Sequence, residues 1–292
     1  MLFRSDQSGQ GAWLENNQAI PFGTGGSAVI SNEYTGNLIF YTDGVNLYDR
    51  THRLVPNGDL ITVPGGTFNQ SAATSAIPAR ANEYFIFSNT DAEVLFARVN
   101  STLRGNAGAG EIGLGGVLTR GGSTGLTNPA EAMTVIPNDS DDGFWLITQD
   151  RTTLEFRVTE IDAAETFPTT TFDFTSPINP GSIAASFAYN ADSALLAVAP
   201  IDANRNVQIL NFNNASGELT FNTQINNTGF DDGAGTAVHD VAWSPDGTKL
   251  YLSRFGSPTG NNADLLQFDF LDTLQSVNSI LFDNVYRSFG IK

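Results

Sequence analysis

Short runs of alternating hydrophobic and polar residues occupy most of the chain, and they are interrupted by turn-forming residues rather than by helix caps. The clearest unit lies between Val238 and Arg254. Val241 and Trp243 alternate with smaller or polar neighbours, Ser244-Pro245-Asp246-Gly247 has the chemistry of a tight turn, and Leu250, Tyr251 and Leu252 resume an extended run. Proline presets φ, aspartate bonds nearby amides, and glycine takes positive φ without steric cost. The pattern predicts a β-hairpin.

The same grammar returns four times. Residues 28–31, 38–42 and 45–49 predict an antiparallel meander, and residues 73–78, 84–88 and 93–99 predict a second. Residues 132–137, 144–148 and 153–158 form a third set, residues 184–189, 194–198 and 206–212 a fourth, and residues 265–270 add a last strand to the opening hairpin. Taking Ala28, Ser75, Ala132, Ser182 and Val238 as equivalent starts, the offsets are about 47, 57, 50 and 56 residues, close to blade-length repeats. A period of that size with three or four strands per unit points to an all-β fold, a β-propeller of five to seven blades built from antiparallel meanders, as a single domain over residues 1–292. Residues 11–15 predict a short N-terminal strand and 278–283 a late one, residues 272–276 a single helical turn, and the glycine-rich stretch 105–125 a connector on one rim.

Composition narrows the partners. Hydrophobic residues make up 40% of the 292, enough for a large core, whereas charged residues are only 15%, below the roughly 25% of ordinary soluble domains. The polar surface therefore comes from Asn, Thr, Ser and Gln. Fourteen basic against 31 acidic residues give a net charge of -17, which repels a phosphate backbone and argues against nucleic acid and anionic membrane as partners. Divalent cations, cationic surfaces and neutral glycans are compatible with it. The absence of cysteine excludes disulfides, thiolate metal sites and cysteine nucleophiles. No apolar run approaches the ~18 residues of a membrane span, and the first residues lack the apolar core of a signal peptide.

Candidate chemistry is sparse. Gly121-Gly122-Ser123-Thr124-Gly125 has nucleophile-elbow spacing, but it lies among glycines without the strand-to-helix turn that gives the motif meaning, and a rim loop is expected there. Of the two histidines, His52 and His239, the second stands beside Asp240 just before a hairpin strand, where a structural His-Asp pair is expected. The acidic turn holding Asp139, Asp141 and Asp142 offers oxygen ligands for calcium, as does Asp231-Asp232, though neither has the spacing of a twelve-residue calcium loop. Asp43, Asp142, Asp192 and Asp246 recur beside turns, which predicts a backbone-bonding role. No catalytic or cofactor-binding residue is assigned. An enzyme acting from a central funnel would draw on Glu131, Asp43, Asp240 or Glu33, the carboxylates predicted near strand ends.

Two resemblances bear on function. The run from Trp243 to Tyr251 resembles the hairpin of TolB-like and WD-like propeller repeats. The stretch Gly36-Asn37-Leu38-Ile39-Phe40-Tyr41-Thr42-Asp43-Gly44-Val45, with Tyr48-Asp49-Arg50-Thr51-His52, Gln70-Ser71-Ala72 and the closing Tyr286-Arg287-Ser288-Phe289-Gly290, is similar to propeller regions of gliding-motility-associated surface proteins of Bacteroidetes-type bacteria. That similarity implies an extracellular or cell-surface propeller, a piece of a longer chain or a shortened relative, and carries no catalytic residues to transfer. The expectation is a non-catalytic scaffold that meets protein or glycan through rim loops and self-assembles through terminal strand edges, with a propeller lactonase or glycosidase as the alternative.

Overall fold

The computed structural model describes residues 2–5, 11–14, 26–32, 34–59, 61, 70–105, 114–140, 143–173, 185–200, 206–225, 238–254, 264–270 and 278–281. Every regular element among them is a strand. The strands β1 (Leu2–Ser5) and β2 (Gly11–Leu14) pair as a two-stranded sheet, and five further antiparallel sheets are the blades of a β-propeller.

Blade 1 is β3 (Ala28–Ser31), β4 (Leu38–Thr42) and β5 (Leu47–Asp49). Blade 2 is β6 (Ala72–Ile77), β7 (Arg80–Asn89), β8 (Glu93–Asn100) and β9 (Gly116–Thr127). Blade 3 is β10 (Thr134–Pro137), β11 (Phe144–Gln149), β12 (Phe156–Ile161) and β13 (Thr169–Phe172). Blade 4 is β14 (Ala185–Asn190), β15 (Leu195–Pro200), β16 (Val207–Asn213) and β17 (Glu218–Ile225). Blade 5 is β18 (Val238–Trp243), β19 (Lys249–Arg254), β20 (Asp264–Asp269) and β21 (Asn278–Leu281). Within each blade the strands follow chain order, and the first strands of neighbouring blades (β3 and β6, β6 and β10, β10 and β14, β14 and β18) meet one another, which makes them innermost.

Successive side chains on a strand point to opposite faces, and cross-strand partners share a face. Each blade therefore presents one apolar row backwards and another forwards. Between blades 2 and 3, Phe85, Phe87, Phe96 and Phe167 meet at ring-centroid distances of 5.0 to 5.9 Å, with Ile161 and Leu146 filling the remainder. Between blades 3 and 4 the rows are Ile147, Phe156 and Val158 against Phe187, Val198 and Leu210. Ile209, Val207 and Ala199 of blade 4 pack on Val241, Leu252 and Leu266 of blade 5, and Phe40 and Leu47 of blade 1 pack on Ile86 and Ala97 of blade 2. A fully buried side chain of this size contributes ~1.5–3 kcal/mol through removal of apolar area from water.

The glycine-rich stretch corrects one expectation. Instead of a rim connector, residues 116–127 form the outer strand of blade 2. The pairing of β8 with β9 shifts register at three places, which is how the glycines are absorbed. A Cβ at Gly122 would lie 2.4 Å from the Phe96 ring, so only glycine lets that ring lie against the strand. Strands β13 and β17 are also additions, since their mixed, half-exposed sequences lack a clear alternation. Blade 1 has three strands, and the outer edge of β5 is covered by residues 53–59. The Leu47 amide bonds the Gly58 carbonyl at 2.8 Å and the Asp49 amide bonds that of Arg53 at 2.9 Å, while the Gly121 amide reaches the Ile61 carbonyl at 2.9 Å. That segment thus occupies the fourth-strand position and ties blade 1 to the edge of blade 2. Residues 272–276 lie outside the described residues.

Phe85 is fully buried, and Leu118 on β9 is 44% exposed. Phe85→Ala is expected to cost about 3–5 kcal/mol and Leu118→Ala less than about 0.5 kcal/mol in urea unfolding, with the slope unchanged.

Candidate functional site

The strand order places two chemically different sets of residues at the two ends of the inner strands. Because the second strand of each blade runs back along the first, the residues after β4, β7 and β11 return to the end where β3, β6 and β10 begin. Asp43, Asn89, Asp91, Glu131, Asp150 and Arg151 are gathered there, with Gln70, Ser186 and Asp240. Cross-blade hydrogen bonds tie this end together: Ser88 Oγ donates to the Gly44 carbonyl at 2.7 Å and Asn89 Nδ2 to the Ala130 carbonyl at 2.6 Å. The opposite end holds the turns between first and second strands.

At that opposite end asparagine does much of the work predicted for aspartate. Asn32, Asn138 and Asn190 each follow or close an inner strand, and each Oδ1 accepts hydrogen bonds from the turn it opens. In blade 5 the role passes to Ser244 and Asp246, whose Oδ1 takes the Thr248 amide at 3.1 Å and the hydroxyls of Ser244 and Thr248 at 2.6 and 2.9 Å. Those bonds hold the Asp246 carboxyl down at about 2. At the first end, Asp43 Oδ1 accepts from the Val45 and Asn46 amides at 2.9 and 2.7 Å. Asp43 and Asp246 thus have the predicted backbone role, while Asp192 is an exposed turn residue whose amide donates to Asn190.

A cavity of about 450 Å3 opens between the inner strands of blades 4 and 5. Gln70, Phe187, Tyr189, Asn190, Asp240 and Trp243 define it. Gln70 reaches across from the start of blade 2: its Oε1 accepts from the Phe187 amide at 2.9 Å, and its Nε2 donates to the Phe187 carbonyl at 2.9 Å and to Ser186 Oγ at 3.3 Å. One side-chain amide thereby reproduces a backbone bridge on the channel edge of β14. Ser186 Oγ donates to Asp240 Oδ1, which also accepts the Val241 amide at 2.9 Å. On the wall, Trp243 Nε1 donates to the Ala188 carbonyl at 3.1 Å and its ring meets Phe270 edge-on at 4.8 Å. Tyr189 donates to Asn214 Oδ1 at 2.6 Å, and burial pushes its hydroxyl pKa up. Asn190 Nδ2 donates to the Gly247 carbonyl at 2.8 Å, where φ is +65° and a Cβ would lie 2.6 Å from Asn190 Oδ1.

The carboxylates in this region are held apart. Asp240 and Asp192 both line the cavity, but at opposite ends of it: Ser186 to Asn190 alone spans roughly 13 Å at ~3.3 Å per residue. Asp150 is engaged by its neighbours, for although burial opposes its charge, amides of Thr153 and Thr152 and the Arg157 guanidinium outweigh that and lower its pKa. Glu131 behaves oppositely. Burial raises its pKa, Arg151 partly offsets this, and Asp91 adds to it.

Of the calcium candidates, Asp139 is exposed in a turn, and Asp141 and Asp142 lie outside the described residues, as do Asp231, Asp232 and Glu33. Among the described residues no group of three or more metal-ligating side chains comes together. His52 Nδ1 lies 3.2 Å from the Tyr41 hydroxyl, and the His239 side chain is outside the described set. Gln70 and Ser186 carry no local signal of their role, since Gln70 and Phe187 are 117 residues apart.

No family model and no curated protein matches the chain. Among solved structures it is similar to a candidate 6-phosphogluconolactonase from Bacteroides uniformis, at 13% identity over 89% of this chain and 69% of that one, with a TM-score of 0.46. It is also similar to a PQQ-bound aldose sugar dehydrogenase from Streptomyces coelicolor, at 14% identity over 91% and 83% of the two chains and a TM-score of 0.44. An endo-arabinanase from Bacillus licheniformis matches at 9% identity over 73% and 76%, with a TM-score of 0.36. Likeness at this level says nothing of activity.

The raised pKa of Glu131 fixes a sign. The folded protein binds that proton more tightly than the unfolded chain, so stability falls as pH rises from the unfolded value near ~4.3 through the folded one. Glu131→Gln is expected to be close to neutral at pH 3 and stabilising at pH 7, as read from urea midpoints.

Proposed function

We propose that the chain is a non-catalytic binding propeller that takes a neutral glycan in the cleft between blades 4 and 5. The observation that carries this reading is the make-up of the cleft: aromatic side chains Phe187, Tyr189 and Trp243 beside neutral amides Gln70 and Asn190, with its buried carboxylate Asp240 already engaged by Ser186 and Val241. Apolar walls with a few polar groups at set positions are what small-molecule sites use to bury and orient a ligand. The distance between Asp240 and Asp192 supports binding over hydrolysis, since two-carboxylate glycoside cleavage needs about 5–9.5 Å between its groups. The net charge of -17 favours an uncharged or cationic ligand over an anionic one. The exported, cell-surface setting implied by the gliding-protein resemblance belongs to the same proposal, as does self-assembly through terminal strand edges.

The second reading is a hydrolase acting from the channel end, and the observation that favours it is Glu131, whose raised pKa suits a general acid.

Calorimetric titration with a panel of neutral oligosaccharides separates the two. The proposal expects saturable binding, unchanged sugar after prolonged incubation, and affinity weakened about tenfold or more by Asp192→Arg, which places a long charged chain at the cleft. Sugar cleavage abolished by Glu131→Gln would establish the enzyme instead, and no binding by any sugar would remove the proposal.

A further inference from the structure

The inner strand of a blade is paired on one side, so its other edge carries backbone groups toward the channel. The pairing says which groups these are. In an antiparallel ladder, opposite residues alternate between pairs that exchange backbone hydrogen bonds and pairs that exchange none. The residue that closes an inner strand is a bonded one: the amides of Asn32, Asn138 and Ser244 donate to the carbonyls of Asn37, Gly143 and Lys249 at 2.8, 2.9 and 2.8 Å. Asn190 holds this place in blade 4, opposite Leu195. Ala188 and Ser186 then bond to β15, whereas Ala185, Phe187 and Tyr189 turn their amides and carbonyls to the channel. Two observations agree with that phase. Pro200, which has no N–H, stands opposite Ala185, and Gln70 bonds both the amide and the carbonyl of Phe187 from across the channel.

Tyr189 is the next open position on this edge, about 7 Å from Phe187 at ~3.3 Å per residue. Among the described residues no side chain or loop bonds its amide or carbonyl, and its hydroxyl is engaged by Asn214. It borders the same cavity as Gln70. Trp243 has the equivalent place on β18, one residue before Ser244, and borders the cavity from the other wall.

We infer that the open backbone of Tyr189 is the group that selects the ligand, and that the glycan presents to it a gauche vicinal diol of a pyranose ring. This rests on the glycan reading of the cleft and names the part of the sugar that is read. Gln70 shows what the edge accepts: a neutral acceptor for the amide and a neutral donor for the carbonyl of one residue, side by side. Two neighbouring hydroxyls match that demand, one accepting from the Tyr189 amide while the other donates to its carbonyl. A single trans amide, as in an acetamido substituent, does not, because its N–H and C=O point to opposite sides. An anion brings no donor for the carbonyl and meets a net charge of -17. An added peptide strand carries suitable groups but needs a run of open positions, and between the Gln70 bridge and the turn that begins at Ala191 there is one.

Amide exchange of the full chain, resolved residue by residue by NMR, tests this in two steps. In the free protein the Tyr189 amide is expected to exchange at least about tenfold faster than those of Phe187, Ala188 and Asn190. Equal protection of all four means that the position is closed and overturns the inference. The neutral oligosaccharide panel is then added, together with the methyl glycosides of glucose, galactose and mannose and the 3-deoxy and 6-deoxy form of each. A methyl glycoside without its 3-hydroxyl has no vicinal diol left, whereas the 6-deoxy form keeps every one. Each sugar that binds is expected to slow the Tyr189 amide, with the 3-deoxy glycoside weaker than its parent by about tenfold or more and the 6-deoxy form within about threefold. Calorimetric binding without slowing at Tyr189, or equal affinity of parent and 3-deoxy forms, overturns the diol assignment and leaves the glycan reading standing. No binding by any of these sugars removes both. Protection of Tyr189 by a capped trialanine and by no sugar gives the edge to a peptide and overturns the inference.

Discussion

Burial of one blade's apolar row against the next is the interaction on which the molecule depends. No blade has a core of its own: a sheet of three or four short strands has two faces and no interior, so it is held only by its neighbours. The contacts bear this out at the level of residues, because Phe85 and Phe87 of blade 2 reach their partners Phe167 and Ile161 in blade 3, and Val198 and Leu210 of blade 4 reach theirs in blade 3. Stability is then a sum of nearest-neighbour interfaces.

The same stacking decides where chemistry can sit. Blade faces are filled with Phe, Ile, Leu and Val, so polar side chains are displaced to the two ends of the strands and to the channel edge of the inner ones. At the turn end they are consumed by the turns themselves, as with Asn32, Asn138 and Asp246. At the other end they bridge between blades, as Asn89 does to Ala130. Among the described residues, a set remains beside open space along the channel edge of β14 and β18. There a polar bridge from Gln70 through Ser186 to Asp240 joins three blades at the mouth of the cleft.

Much of the fold was legible in the sequence. The alternation at Val241-Trp243 on β18 and the apolar run Tyr84-Phe85-Ile86-Phe87 on β7, with turns of Asn, Asp, Pro and Gly, mark the first two strands of a blade because those strands are packed between neighbouring blades. Outer strands have one solvated edge, so β13 and β17 carry mixed sequences and escaped notice. The β9 strand was hidden for a different reason. Glycine is a strand breaker by propensity, yet Gly122 is required by the Phe96 ring from β8, a constraint that no local window contains. The candidate site was less legible still. Asp43 and Asp246 were readable as turn residues because their partners are two or three positions away, whereas Gln70 finds Phe187 only through the closure of the ring.

The measurement that bears most directly on the account is amide exchange of the intact protein with and without a neutral oligosaccharide at saturating concentration. The account predicts slower exchange confined to β14, β18 and the Ala191–Ser193 and Pro245–Gly247 turns, with blades 2 and 3 unaffected. Protection centred on the Glu131 and Asp43 end instead, or no change anywhere, would contradict it.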